Sequence, residues 1–368
     1  MIEKLGLAEV RLYNDLMTPE EAEKFMLWGD VVVSQSTMGI NMVASTRKLI
    51  EEGKTVVGDY DDLSFALSPF NPAYKTLGLN EVKITHDGTE AYLWQYGVNG
   101  FSKEANYFRY RSLQDLLKTF TAITTTNKYI KDRYSQFNKN IFILPNSIDF
   151  SLFKPFPKKE NKQIRIGWTA SDSHYSEIWM MKRIMRKVLT KYKDEVRFVL
   201  FGNLIEVSME FKNDSYERHD FISLELYPIK QASLNLDIGL CPLDNIEFNR
   251  AKSQLKWSEY ASLRVPSVCS KLEPYNCVED GVTGLLAKDE DEFFEKICAL
   301  VEDAKLRKTI ADNAYDKNYE DYNLEKNAIL WVEAYEQARE IQCSKQPSSV
   351  KEVSEKDTPK ILETSDIK

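Results

Sequence analysis

From about residue 160 the chain alternates short strand-like runs with helical periods, and no other feature constrains the fold as much. Strands joined by crossover helices pair in parallel and need helices on both faces. Ile164 to Trp168 reads as a strand, followed by a loop at Thr169 to His174. A helix comes next, with apolar positions Ile178, Met181, Met185, Val188 and Tyr192 at three- and four-residue spacing. Further strands are expected at Val196 to Phe201, Leu236 to Cys241, Pro266 to Ser270 and Gly284 to Ala287, with crossover helices at 252–263, 291–301 and 304–315. Residues 163–323 therefore read as a Rossmann-type domain.

The N-terminal half repeats this grammar less cleanly. Asp30 to Ser34, Thr55 to Gly58, Val82 to Thr85, Ala122 to Thr125 and Ile141 to Leu144 are strand candidates, with helices at 40–52 and 112–120. A chain of 368 residues has room for two or three domains. A second α/β domain is assigned to 1–152. The stretch 153–162 (F-K-P-F-P-K-K-E-N-K) has two prolines, four lysines and no apolar period, and reads as a linker. Residues 324–342 form one helical period whose apolar positions Trp331, Ala334, Tyr335 and Ala338 need a covering surface, which predicts packing back toward the N-terminal domain. From 343 to 368 five acids balance five lysines among Ser and Pro, the composition of a disordered tail.

Composition removes several functional classes. With 49 basic against 57 acidic residues the net charge is −8, which weighs against a continuous nucleic-acid surface. No apolar run approaches the ~20 residues that cross a bilayer, and Met1 to Val10 lacks the regions of a signal peptide, so the expected compartment is the cytoplasm. The five cysteines have no C-x-x-C spacing, and the three histidines lack ligand partners at metal spacing, so no metal site is expected. Gly53-Lys54-Thr55 imitates a phosphate loop, but Lys48 stands where its first glycine belongs, and no G-x-G-x-x-G occurs.

The informative stretch follows the strand ending at Cys241. Lys252, Lys256 and Glu259 fall at i, i+4 and i+7, one face of a helix opening near Ser253. Backbone N–H groups at such an opening, with a lysine beside it, suit a diphosphate, and Glu259 suits a ribose diol. Spacing alone favours the other reading, a solvated face with a Lys256–Glu259 ion pair. In the N-terminal half, V-V-G-D-Y-D-D-L puts Asp59, Asp61 and Asp62 at the end of a strand, where ligands collect in parallel sheets; a cap on the next turn is the other reading. Tyr107, Arg109, Tyr110, Arg111, Lys118, Lys128, Tyr129, Lys131, Arg133 and Tyr134 interleave aromatics with bases, either as a docking patch or as solvated helix faces.

The run K-S-Q-L-K-W-S-E-Y-A-S-L-R-V-P-S-V, then D-G-V-T-G-L-L-A, resembles the C-terminal half of GT-B glycosyltransferases, in particular glycosyltransferase family 4. A-I-T-T-T-N-K-Y-I and I-F-I-L-P-N-S-I-D extend the likeness upstream. The resemblance implies two Rossmann-like domains facing an interdomain cleft, a nucleotide-sugar donor held by the C-terminal domain, and a glycan or other hydroxyl acceptor held by a shortened N-terminal one. It implies retention of anomeric configuration, with no cofactor and no divalent cation. By position Glu259 matches the second glutamate of the family's E-x7-E motif, and Ala251 replaces the first. Asn249, Arg250, Lys252 and Ser253 are the neighbours expected to take its part. Thr169 and His174 occupy the loop that carries a basic pair in the family, and Lys252 and Lys256 are the nearest substitutes. Asp61 and Asp62 resemble the family's His-Asp pair and are expected to orient or deprotonate the acceptor. Two other readings stand beside this one: transfer to hydroxylated nucleic-acid bases, and a decayed GT-B scaffold that binds sugar or nucleotide.

Overall fold

The computed structural model describes residues 1–13, 16–171, 174, 176–202, 216–345 and 360–364. The chain divides into two compact units, one made of Met1–Leu67, Lys75–Pro145 and Glu325–Lys368, the other of Ser68–Tyr74 and Asn146–Leu324.

The first unit begins with β1 (Glu9–Leu12), β2 (Val31–Gln35) and β3 (Thr55–Tyr60). Next come β4 (Val82–His86) and β5 (Thr89–Trp94), then β6 (Ala122–Thr125) and β7 (Ile141–Ile143). Strands β2, β3, β6 and β7 pair in parallel in that order. Val31–Val33, Val56, Val57, Ala122 and Ile123 are buried, as expected of strands covered on both faces. Val82 to Thr85 does not join this sheet. It forms an antiparallel hairpin with β5, because Asp87 and Gly88 adopt φ of 48° and 76° and make a two-residue turn that folds the chain back.

The second unit holds β8 (Ile164–Thr169), β9 (Val196–Phe201), β10 (Tyr216–His219), β11 (Ile238–Cys241), β12 (Ser267–Ser270) and β13 (Leu285–Ala287). All pairings are parallel, in the order β10-β9-β8-β11-β12-β13. One face carries Ile166, Trp168, Phe198 and Leu240 against the helices Glu177–Tyr192 and Glu290–Glu302. The other carries Val199, Phe201 and Cys269 against Trp257, Tyr260 and Ala261 of the helix Leu255–Ser262. The stretch expected as a linker belongs to this unit, whose boundary falls earlier, between Pro145 and Asn146. Lys158 pairs with Asp237 at 3.1 Å, Asn161 Nδ2 donates to Asp237 Oδ2 at 2.8 Å, and Phe153 packs edge-on against Tyr227. Lys158 and Asn161 thus have side-chain partners on this unit, which composition alone does not reveal.

The helix Leu324–Lys345 brings the chain back to the first unit, where Trp331, Tyr335 and Ala338 pack against Ala8, Val31, Val33, Val57 and Ala122. Thr121 donates to Gln342 Oε1 at 3.3 Å, and Gln342 Nε2 donates to the Ile50 carbonyl. The expectation of disorder from 343 onward is corrected in part. The helix runs to Lys345, and β14 (Lys360–Thr364) lies between β1 and β2, parallel to both. Residues 346–359 and 365–368, also assigned to the tail, lie outside the described residues. Ladder bonds on both edges stabilise a short strand that an average over its polar flanks conceals. Ending the chain after Lys345 is therefore expected to lower the melting temperature of the first unit, by about 2–4 °C for each kcal/mol lost. An unchanged melting curve for the truncated protein would show that β14 adds nothing.

Candidate functional site

In the second unit the C-terminal ends of β8 and β11 lead into loops that meet the opening of the helix Leu255–Ser262. That helix is fixed by its buried face. Trp257 Nε1 donates to the Thr283 carbonyl at 2.9 Å, and the Tyr260 ring lies flat on β11 at Gly239, where a Cβ would stand 2.6 Å from ring carbons. The Tyr260 hydroxyl accepts from the Thr169 N–H at 3.0 Å and so ties the end of β8 to the helix. The first intrahelical bond runs from Ser258 N to Gln254 O, so the N–H groups of Leu255, Lys256 and Trp257 open the helix. It begins at Leu255, two residues later than expected, which places Lys252 and Ser253 in the turn before it. Lys252 Nζ sits 4.5 Å from the centre of the Phe248 ring. Ser253 Oγ accepts from Asn146 Nδ2 at 2.9 Å, and Gln254 Nε2 donates to the Asn146 carbonyl at 2.7 Å.

Lys256 and Glu259 do not form a solvated face. Lys256 Nζ donates to the Thr169 carbonyl, and Glu259, 9% exposed, accepts from the Tyr227 hydroxyl at 2.9 Å. Burial pushes the Glu259 carboxyl up against the opposing pull of Lys256 and Tyr227. Burial likewise lowers the Lys256 ammonium, with Glu259 opposing.

His174 and Asn249, far apart in sequence, meet on Glu177. His174 Nδ1 lies 3.5 Å from Glu177 Oε2, while Asn249 Nδ2 and the Asp244 N–H donate to Glu177 Oε1. Burial lowers His174 to about 4, with Glu177 opposing and Lys256 and Lys252 adding to the fall. Burial also acts against the Glu177 charge, but the His174 imidazole and the Asp244 N–H outweigh it and hold the carboxyl below its usual range. Arg250 is engaged elsewhere, donating to Asn245 Oδ1 at 2.9 Å and to Glu273 Oε1 at 3.0 Å. Ala251 is fully buried.

In the first unit, Asp61 and Asp62 directly follow β3, Asp61 exposed and Asp62 half-buried. Burial raises the Tyr134 phenol, and Asp62, Tyr110 and Asp61 raise it further, which places both carboxylates near it. Asp59, within β3, accepts from the Thr124 hydroxyl at 2.6 Å.

Four of the bases of 107–134, Arg109, Lys118, Lys128 and Arg133, have local partners. Arg109 donates to Asn106 Oδ1 at 2.7 Å, Lys118 pairs with Asp115 at 3.3 Å and Lys128 with Asp132 at 2.6 Å. Arg133 stacks 4.9 Å from the Tyr129 ring.

Similarity to known proteins falls on these same elements. Residues 165–303, which span β8 from its second residue through β13 and the Leu255–Ser262 helix, match the family described as Glycosyl transferases group 1. Among solved structures it is similar to sucrose-phosphate synthase of Thermosynechococcus elongatus, at 12% identity and a TM-score of 0.60 over 86% of this chain and 76% of that one. It is also similar to HepE of Anabaena in complex with UDP and glucose, at 15% identity and 0.56 over 83% and 78%. A third is TarM, at 12% identity and 0.57 over 83% of this chain, which spans 54% of TarM. At these identities the likeness establishes the fold, which is GT-B. No curated protein matches the sequence. Among the described residues no helix is long and apolar enough to cross a membrane.

Sequence reasoning passed over Glu177 and Tyr227. Glu177 left a signal, because it continues the row Met181, Met185, Val188 one turn earlier, a carboxylate on an otherwise apolar face.

Proposed function

We propose that this protein transfers a sugar from a nucleoside diphosphate donor to an acceptor hydroxyl, with retention of configuration. The observation that carries the donor half is the Lys256–Thr169 contact at the opening of the Leu255–Ser262 helix, with Glu259 one turn further in and bonded by Tyr227. In this reading the helix opening, Lys256 and Lys252 face the diphosphate and stabilise charge on the departing oxygen without a divalent cation. Glu259 holds the ribose diol, Ser253 and Asn249 support the turn beside it, and His174 faces the sugar. Arg250, paired with Glu273, stands with Ser253 and Asn249 beside the turn as part of the donor set. Asp61 and Asp62 serve the acceptor, as the orienting or deprotonating carboxylates. HepE, of the same fold, has been seen with UDP and glucose, which supports a uridine donor as the first to test.

Glu259→Gln is the deciding experiment. It keeps the shape and removes the charged acceptor, so isothermal titration with UDP is expected to show affinity weakened by roughly 1.5–3 kcal/mol. Wild-type affinity in that titration would take the ribose off Glu259. Transfer to bases in nucleic acid is disfavoured by the local pairing of Arg109, Lys118 and Lys128.

A further inference from the structure

Glu177 is a wholly buried carboxylate to which the donor reading gives no task. Its Oε1 is well supplied, accepting from the Asp244 N–H at 2.9 Å, from Ser176 Oγ at 3.0 Å and from Asn249 Nδ2. Its Oε2 is sealed from solvent and makes no hydrogen bond, and facing it at 3.5 Å is His174 Nδ1, sealed and unbonded in the same way. Leaving a buried carboxylate oxygen without a proton donor is costly, and a ring-nitrogen lone pair aimed at it would be repelled. A proton on Nδ1 removes both penalties with a slight shortening of the contact. The second ring nitrogen then carries no proton and can only accept.

We propose that Glu177 is a positioning residue that holds His174 in the Nδ1–H tautomer, so that Nε2 is presented as a hydrogen-bond acceptor for a hydroxyl of the donor sugar. The second half of this proposal rests on the donor reading above. A sugar hydroxyl, rather than a phosphate, is the chemical match because a neutral imidazole lone pair repels phosphate oxygens and accepts a hydroxyl proton. The charged groups acting on the ring are Glu177 from its own segment and Lys252 and Lys256 from the turn and helix opposite, with Asp244 acting on Glu177. The two lysines and burial together keep the ring uncharged.

The chain has three histidines, so the full-length protein labelled with ¹⁵N-histidine gives three imidazole patterns in a long-range ¹H–¹⁵N spectrum, and His174→Gln identifies the one in question. At pH 7 the expected pattern is the Nδ1–H tautomer. An Nε2–H pattern or an imidazolium would overturn the proposal. Glu177→Gln offers Nδ1 an amide donor in place of an acceptor and is expected to move His174 to the Nε2–H form; an unchanged tautomer overturns the positioning role. With UDP and UDP-glucose as probes, this variant is expected to keep its affinity for UDP and to bind UDP-glucose about tenfold more weakly than wild type, about 1.4 kcal/mol. Equal weakening of both ligands, or of neither, overturns the sugar contact. Absence of UDP binding in the wild type would sink the donor reading and the sugar contact together, while the tautomer of the unliganded protein still decides the role of Glu177. Should Glu177→Gln fail to fold, the wild-type spectrum alone decides that role.

Discussion

Lys256→Met is expected to lower turnover of a nucleoside diphosphate sugar by about 10²–10³-fold, the usual loss when one preorganised donor is removed from developing negative charge. The size follows from the site. Lys256 stands in the first turn of the Leu255–Ser262 helix, where its charge adds to the positive end of the helix dipole, and its Nζ is anchored on the Thr169 carbonyl. Charge on the departing oxygen is greatest in the transition state, so kcat should fall much more than donor affinity. Methionine retains the length of the stem, and a melting curve on the same sample separates loss of chemistry from loss of the Thr169 contact. Steady-state kinetics in which KM rises while kcat holds would make Lys256 a ground-state binder. If both constants hold, the helix opening is not the diphosphate site.

Much of this arrangement is legible in the amino-acid sequence. The apolar period from Ile178 to Tyr192 and the strands at Ile164, Val196 and Leu236 give the second unit, because parallel strands buried on both faces leave continuous apolar runs. The hairpin at Val82–Trp94 is legible too, through Asp87-Gly88, but read one strand at a time it looks like part of the parallel sheet. β1 is hard to read, since the polar–apolar alternation of Glu9, Val10, Arg11 and Leu12 lasts only four residues and the strand is largely exposed. The candidate site divides in the same way. The spacing of Lys252, Lys256 and Glu259 marks the right segment, yet whether they are solvated depends on Thr169 and Tyr227, which come from other loops. The departure of Arg250 toward Glu273 likewise depends on a partner 23 positions downstream.

The second large effect expected is a loss of stability on acidification, and its sign follows from His174. The imidazole is held at about 4 in the folded protein, below its ordinary 6.5, because burial and the nearby Lys256 and Lys252 outweigh Glu177. As pH falls, the unfolded chain takes up this proton first. The stabilisation is therefore complete above pH 6.5 and is lost as pH drops toward about 4. At about 1.4 kcal/mol per unit, that gap corresponds to a loss on the order of 3 kcal/mol. Glu177 acts in the same direction below its ordinary 4.5, since a carboxyl held low by its partners loses their support on protonation. Glu259 acts in the opposite sense, because a carboxyl raised by burial is relieved when it takes up a proton. Urea denaturation at a series of pH values from 7 to 4 should thus show wild-type stability falling steeply below pH 6.5, while His174→Asn follows a flatter profile whatever its stability at neutral pH. Parallel profiles for the two proteins would mean that His174 already carries its proton in the folded state, and the buried neutral ring would have to be abandoned.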